Sequence, residues 1–466
     1  MTLTIADLVI IIAYFAIVLY VGFVIASRKE KKYGNSPEEY ILAGRRLTLP
    51  FFIATLVATW YGSILGVGEF VFNSGVVAWV CFGLPYYVAA VLFAIFFAGK
   101  IRDANVMTIP DQIRRNYNGT AGVISSIIIL FITVPSAYIL MLGILIQMFT
   151  GFELWISIII GSIASIAYLF TGGFKADVYT NAIQFVFMYL GFAALLIFSI
   201  LTLGSISEMT TLLPDKHTTA TGTLSWQYIA AWFIIALQTF VDPGFHQRCS
   251  AATNSKTARN GILISVVFWA VFDFLTLFTG LYARAFTSPD NALMAFPVLG
   301  ELVLPPIWKG IFVISMLSAV MSTLDSYAFI SATTIGNDIL TKFKRLKHIS
   351  ADKLTKVGLI LTSIVGVTVA IAIPSAVEII YKTASVTVPG LIVPLTLTMI
   401  KSLKINSRQA IIIMILASSI SLIWMIIPGF GIEILSNIEP MFPGIILSVI
   451  LAIIFLAINK KNNELV

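Results

Sequence analysis

Charged residues are scarce in this chain of 466 residues: Asp, Glu, Lys and Arg make up 11% of it, against 59% hydrophobic residues. A soluble domain carries roughly 25% charged residues, and it could not bury so much apolar surface. Apolar runs of about 20 residues, the length that crosses the hydrocarbon layer, recur along nearly the whole sequence. The composition therefore excludes an ordinary soluble protein and predicts an all-α, polytopic membrane protein.

Cysteine and histidine are also rare, with two and three residues respectively. Cys81 falls in an apolar run and Cys249 in a predicted cytoplasmic loop, so we expect neither a disulfide nor a metal cluster. His217, His246 and His348 fall in predicted loops, which argues against a buried histidine proton relay. The sequence has no His-Glu-x-x-His run and no Gly-x-x-x-x-Gly-Lys phosphate loop, so we do not expect an enzyme.

Hydropathy and loop signals predict about thirteen membrane spans. The predicted spans lie near residues 7–27, 50–74, 76–99, 120–149, 153–171, 177–203, 226–243, 260–285, 307–340, 355–374, 376–399, 409–428 and 440–459. No loop between them is long enough for a soluble domain. We therefore expect a single membrane domain, 1–466.

The orientation follows from the basic residues, which give the chain a formal net charge of +7. With thirteen spans, most of the 29 Lys and Arg residues fall in loops on one side, as the positive-inside bias requires. A basic loop at 28–32 follows the first span, so that span is expected to stay rather than be cleaved as a signal peptide. We predict a cytoplasmic membrane protein with its N-terminus outside and its C-terminus inside. The membrane lipid accounts for the charge without a nucleic-acid partner, and no obligate protein partner is evident.

The second predicted span contains Gly62, Gly66 and Gly68, followed by the acid Glu69. Such a density of glycine favours a break in the helix. A broken helix frees backbone carbonyls, which are tolerated at membrane depth where they are buried in protein or line a cavity, and which can bind a cation. Close packing of small residues against a neighbouring helix is the alternative.

The seventh predicted span ends with Gln238, Thr239, Asp242, Pro243 and Gly244. It lies five spans after the glycine-rich one, and interrupted segments at matching places in two halves of a transporter indicate its binding site. For Asp242, Pro243 and Gly244 the favoured interpretation is simpler: they form a turn where the chain leaves the membrane.

The ninth predicted span carries a stripe of small and hydroxyl side chains. Ala319, Ser322, Thr323 and Ser326 fall on one helical face at the i, i+3, i+4, i+7 spacing. Hydroxyl and carbonyl oxygens suit a hard monovalent cation, although such a stripe also serves simply to pack and hydrogen-bond helices. Asp325 lies in the same run, and an acid so deep in a membrane is a functional candidate.

Three further polar residues lie within predicted spans. Asp177 and Asn181 open the sixth span, and Asp273 lies midway through the eighth. For Asp273 we expect a structural role in hydrogen bonding between helices.

Four motifs in this order resemble the sodium:solute symporter family. They are Leu42-Ala43-Gly44-Arg45; Thr171-Gly172-Gly173-Phe174-Lys175-Ala176 with Thr180 and Gln184; Gln247-Arg248 with Ala251-Ala252; and the run from Ala319 to Asp325. The resemblance covers nearly the whole chain. It implies the LeuT-type fold, a core of two inverted five-span repeats at 50–203 and 226–399, with an extra N-terminal helix at 7–27 and two C-terminal helices at 409–459.

The resemblance also implies a sodium site between the second and ninth spans, with sodium as the co-transported ion. Its ligands would be the carbonyls of Ala58, Tyr61 and Ala319 and the hydroxyls of Ser322 and Thr323. The family commonly has an aspartate where this chain has Asn181, so a second sodium site there is in doubt. The candidates for an ion path or for coupling are Asn181, Asp325 and Asp177.

The function that the resemblance implies is sodium-coupled import, by alternating access, of a small polar solute such as an amino acid or a carboxylate. The expected substrate contacts are Trp60, Glu69, Tyr86, Tyr87, Gln238 and Thr239. A sugar is less expected, because Gln238 stands where sugar carriers have a stacking tyrosine. Two alternatives stay open: a proton-coupled symporter that uses Asp325 or Glu69, and a membrane receptor that has the fold without transport.

Overall fold

The computed structural model describes residues 2–25, 36–346, 348–373, 376–400, 402–427 and 438–464. Helices joined by loops account for the described residues, apart from one isolated β-bridge between Leu47 and Ala252. The prediction of an all-α membrane protein is confirmed.

Among the described residues, the first half of the chain forms twelve α-helices. They are α1 (Ile5–Tyr20), α2 (Pro37–Leu42), α3 (Leu49–Ala58), α4 (Ile64–Ser74), α5 (Val77–Phe82), α6 (Leu84–Phe93), α7 (Gly99–Asp103), α8 (Ile109–Asn116), α9 (Gly119–Thr133), α10 (Ser136–Thr150), α11 (Leu154–Ile166) and α12 (Leu169–Leu203). Helices α5 to α7 follow one another as a single apolar stretch.

The described residues of the second half form ten more. They are α13 (Ile206–Thr211), α14 (Trp226–Ile235), α15 (Pro243–Ala251), α16 (Ser255–Phe286), α17 (Ala295–Val303), α18 (Trp308–Thr333), α19 (Ala351–Ala372), α20 (Ala376–Thr398), α21 (Ser407–Ile426) and α22 (Met441–Glu464).

Within the described residues, ten helical stretches, some of them made of two or three consecutive helices, are long and apolar enough to cross a membrane. Each corresponds to a different predicted span. The other three predicted spans coincide with the pair α3 and α4, with α11, and with α20. The total of thirteen crossings stays a prediction. The basic loop at 28–32, on which the orientation partly rests, lies outside the described residues.

The sixth predicted span, 177–203, lies within α12, which has a kink at Gly173, where φ is 52° and ψ is −144°. The turn predicted at the end of the seventh span was wrong. The chain does not leave the bundle at Asp-Pro-Gly: Asp242 accepts a hydrogen bond from the amide of Phe245 and so caps a new helix, α15, which is buried from Pro243 to Ala251. Cys249 and His246 therefore lie in a buried helix rather than in loops.

The predicted break in the second span is confirmed, because α3 ends at Ala58 and α4 begins at Ile64. Gly62 lies within the break, where a Cβ atom would come 2.7 Å from Cβ of Thr323 and 2.5 Å from the ring of Tyr138. Only a residue without a side chain allows α18 and α10 to approach this closely.

A second interruption separates α14 from α15, where residues Ala236–Val241 form a 3₁₀ turn. Hydrogen bonds next to the β-bridge join the residues before α3 to the end of α15. The amide of Leu47 donates to the carbonyl of Ala251 at 3.0 Å, and the amide of Thr253 donates to the carbonyl of Leu47 at 3.1 Å. Helix α18 packs against both α3 and α12 and is buried along nearly its whole length. It forms the centre of the bundle.

Candidate functional site

Four oxygen atoms meet where α18 passes the break between α3 and α4. The hydroxyl of Ser322 donates to the carbonyl of Ala58 at 2.7 Å and lies 3.1 Å from the carbonyl of Ala319. The hydroxyl of Thr323 is 3.2 Å from that same carbonyl of Ala319. In an unbroken helix the carbonyl of Ala58 would accept the amide of Gly62, so the break makes it available. We call these four residues the oxygen cluster.

Tyr61, the fifth residue expected at the sodium site, lies in the unwound segment 59–63 beside the oxygen cluster. Its carbonyl accepts the amide of Ile64 at 3.1 Å. Its hydroxyl points the other way and donates to Asp273 at 2.7 Å and to the carbonyl of Trp269 at 3.1 Å. One residue thus extends from the region of the oxygen cluster to helix α16.

A buried network of charged and polar groups lies one turn further along α18. The guanidinium of Arg248 donates to Ser326 at 2.9 Å and to Thr55 at 3.0 Å, and it pairs with Asp177 at 3.5 Å. Asn181 donates to Thr55, Asp177 and Ser326 at 2.9 to 3.2 Å. Asn181 and Asp177 therefore lie together and join α3, α12, α15 and α18.

Asp325, the third candidate for an ion path, does not belong to this network. Its carboxylate accepts hydrogen bonds from the hydroxyls of Ser165 and Tyr168, on the side of α11 and α12, and it is fully buried. The three predicted residues therefore lie in two places: Asn181 and Asp177 lie in the network around Arg248, and Asp325 lies beside Ser165 and Tyr168.

A cavity of about 140 Å³ opens beside the break and the second interruption. Its volume is well below the roughly 300 to 1,000 Å³ of pockets for drug-sized ligands, so it suits a compact solute. Aromatic and polar side chains line it: Thr59, Trp60, Tyr61, Ser63, Trp79, Phe82, Tyr86, Tyr138, Gln238, Asp242, Asp273, Thr276 and Tyr327. We call it the central cavity.

Three of the six predicted substrate contacts line the central cavity: Trp60, Tyr86 and Gln238. The other three do not. Tyr87 is not among the lining residues, although it donates to Asp273, which is. Thr239 is buried, with its hydroxyl unpaired among the described residues. Glu69 lies further along α4.

Asp273 joins distant segments through hydrogen bonds, as expected from the sequence, because it accepts from the hydroxyls of Tyr61 and Tyr87. It also lines the central cavity, which the sequence did not indicate. Asp242 also lines the cavity, where it accepts from the hydroxyl of Tyr327 at 2.6 Å. Its place at the start of a buried helix, rather than in an exposed turn, follows from the capping bond described above.

Sequence reasoning missed the role of Arg248 as well. It is completely buried, although the sequence placed it only within a motif after a span. A signal was available: Asp177 lies in an apolar stretch, and a buried acid needs a cation or several hydrogen-bond donors as partners.

The comparison with known proteins agrees with these features. The sodium:solute symporter family profile matches residues 40–417. The sodium/pantothenate symporter of Haemophilus influenzae is 27% identical over 70% of this chain and 72% of its own length. The high-affinity choline transporter 1 of Drosophila melanogaster is 25% identical over 80% of this chain, which spans 63% of that longer protein.

The fold matches as well. The structure of a Na⁺-coupled sialic acid symporter, in a substrate-bound outward-open state, superimposes with a TM-score of 0.79 over 97% of this chain and 98% of that one, at 15% identity. The chain therefore has the LeuT-type fold that the motifs implied. It belongs to the sodium:solute symporter family, and its function is sodium-coupled transport of a small solute across a membrane.

Proposed function

We propose that the co-transported sodium ion binds at the oxygen cluster, between the carbonyls of Ala58, Tyr61 and Ala319 and the hydroxyls of Ser322 and Thr323. The contact that carries this proposal is the one between Ser322 and Ala58, because it brings a hydroxyl from α18 to a carbonyl released by the helix break. Neutral oxygens of this kind suit a hard monovalent cation.

The central cavity is the solute site in this proposal, since it shares the segment 59–63 with the oxygen cluster. The relatives' names point to different solutes, pantothenate and choline among them, so they do not select one. The solute is a compact polar molecule, in keeping with the cavity's volume and its polar wall.

Alternating access then imports the solute through a cytoplasmic membrane, with the N-terminus outside and the C-terminus inside. Sodium drives uptake only if its binding favours solute binding, because each ligand shifts the equilibrium by its differential affinity. A membrane potential of about 100 mV contributes roughly 2.3 kcal/mol for each sodium ion carried inward.

The sodium site is tested with the double variant Ser322→Ala, Thr323→Ala of the purified chain in detergent. Sodium chloride, compared with potassium chloride, should raise the apparent melting temperature of the wild type, because a ligand of the native state stabilises it. The double variant should lose most of this rise, since it lacks two of the five ligands.

Ser315→Ala is the matched control, because the hydroxyl of Ser315 lies on the same helix but, within the described part of the chain, bonds only inside that helix, to the carbonyl of Phe312 at 2.7 Å. The control should keep the full effect of sodium. A double variant that folds and still responds to sodium like the wild type would remove the site assignment. Stabilisation by lower pH, with no response to sodium, would instead favour the proton-coupled alternative through Asp325 or Glu69.

A further inference from the structure

The ionisable side chains in the wall of the central cavity that carry a full charge near neutral pH in water are all acids. Two carboxylates line it, those of Asp242 and Asp273. Within the described part of the chain, no Lys, Arg or His side chain lines it. A carboxylate solute would therefore meet two like charges and no fixed cation.

Neutral groups surround the carboxylate of Asp273. One oxygen accepts from the hydroxyl of Tyr61 at 2.7 Å, and the other accepts from that of Tyr87. An ionised carboxylate has about four lone-pair sites, so two hydrogen bonds leave room for a further partner. Burying such a charge without a cation is costly, and a positively charged solute would reduce that cost.

The carboxylate of Asp242 would also be stabilised by a positively charged solute, to a smaller degree. Its two oxygens accept from the amide of Phe245 at 2.9 Å and from the hydroxyl of Tyr327 at 2.6 Å. The nearby cation is Arg248, and its salt bridge at 3.5 Å is with a different acid, Asp177. One guanidinium is thus shared between two carboxylates, which leaves the cavity side of Asp242 only partly compensated.

Aromatic rings make up much of the remaining wall. Seven of them line it: Trp60, Tyr61, Trp79, Phe82, Tyr86, Tyr138 and Tyr327. They form packed groups, with ring centroids 5.1 Å apart for Trp60 and Tyr86 and 5.4 Å apart for Tyr138 and Tyr327. Aromatic faces attract cations, and cages of such rings recognise quaternary ammonium groups. Rings alone would also suit an uncharged solute, but the two carboxylates select a cation.

We infer that the transported solute is a small organic cation, an amine or a quaternary ammonium compound, bound between the carboxylate of Asp273 and the aromatic wall of the central cavity. This inference rests on the proposed function, because it takes the cavity to be the solute site. It narrows the expected class of solute and argues against a carboxylate.

The test compares choline with 3,3-dimethylbutan-1-ol, in which a neutral carbon replaces the charged nitrogen of the same shape. Tetramethylammonium and ethanolamine extend the panel of cations. The purified full-length chain is kept in saturating sodium chloride, and the apparent melting temperature is followed as each compound is added. At least one cation should stabilise the protein, and the neutral alcohol should not.

The variant Asp273→Asn removes the charge and keeps the size of the side chain. The affinity for the stabilising cation should fall roughly ten- to a hundredfold, because the variant removes the opposite charge that attracts the cation in a site shielded from water. Asp290→Asn is the matched control: it makes the same change in net charge at an exposed residue between α16 and α17, and it should bind the cation like the wild type.

Each of three results would overturn the inference. The first is that no cation stabilises the protein, and the second is that the neutral alcohol stabilises it as well as choline does. The third is that the affinity for choline falls as the sodium concentration is raised further, which would mean that the cavity holds sodium itself. If the protein responds to sodium but to none of the organic cations, only the inferred class of solute is rejected. If it also fails to respond to sodium, the proposed sodium site is rejected as well.

Discussion

The oxygen cluster and the central cavity are neighbours that differ in chemistry. The oxygen cluster consists of backbone carbonyls and hydroxyls, all neutral, whereas the central cavity has two carboxylates and seven aromatic rings in its wall. A small bare cation needs several close oxygens, while a larger organic cation is bound by opposite charge and ring faces. Adjacent sites can therefore select two cations of different size without competing for them.

The segment 59–63 belongs to both sites, and Tyr61 shows how they are joined. Its backbone lies beside the oxygen cluster, and its hydroxyl bonds Asp273 in the cavity wall. In the proposed function, ordering this segment at one site would lower the cost of ordering it at the other, which would give the positive coupling that symport requires.

Changing Gly62 should have the largest effect, because it should damage both sites at once. A Cβ atom in Gly62→Ala would come within 2.7 Å of side-chain atoms of both Tyr138 and Thr323, and overpacking of this kind costs about 1 to 3 kcal/mol. We expect the stabilisation by sodium and that by the organic cation to be lost together in titrations of the melting temperature.

Gly99→Ala is the control for Gly62, because a Cβ atom there would meet only Ser255, at 3.7 Å. It should be neutral or gain up to about 1 kcal/mol, since alanine favours a helix over glycine. If Gly62→Ala lost one response and kept the other, the two sites would not share the break.

Removing the hydroxyl of Tyr61 should have an intermediate effect that separates coupling from binding. Tyr61→Phe keeps the carbonyl for sodium but loses the hydrogen bond to Asp273, so sodium alone should bind almost as in the wild type. The factor by which the organic cation improves sodium affinity should fall roughly three- to tenfold, as expected for one or two hydrogen bonds.

Tyr189→Phe is the matched control for Tyr61, because its hydroxyl also donates to a backbone carbonyl of α16, that of Phe268, at 2.6 Å. It should keep the coupling factor. An unchanged factor in Tyr61→Phe would mean that the two sites communicate by another route.

The smallest effect is expected at Glu69, the acid that the sequence indicated but that does not line the cavity. Glu69→Gln should leave the affinities for sodium and for the organic cation within about twofold, the usual range for a substitution outside a site. A loss as large as that of Asp273→Asn would place Glu69 on the solute's path and remove the contrast between these two acids.

Local patterns predicted the parts of the molecule that are encoded locally. The glycines around Gly62 predicted the break, and the spacing of Ser322 and Thr323 predicted that their hydroxyls share one face of α18. The family resemblance, not the spacing, implied that this face meets the break. Apolar run lengths predicted most of the long helices.

The rest depends on packing between distant segments, which no local pattern contains. Asp273 lies 212 residues from Tyr61, which donates a hydrogen bond to it. The sequence of α16 alone therefore could not predict that Asp273 lines a cavity. Arg248 is buried because Asp177, Thr55 and Ser326 surround it, and these come from three other helices. The Asp-Pro-Gly run resembles an ordinary turn at the membrane surface, and only the buried helix after it shows Asp242 to be a cap inside the bundle.

Equilibrium binding of radioactive sodium to the purified chain tests the central claim most directly, because it needs neither a known solute nor a transport assay. We predict saturable binding to the wild type and to Ser315→Ala, and its loss in the folded double variant Ser322→Ala, Thr323→Ala. Equal binding to all three proteins would contradict the claim that α18 and the break between α3 and α4 hold the ion.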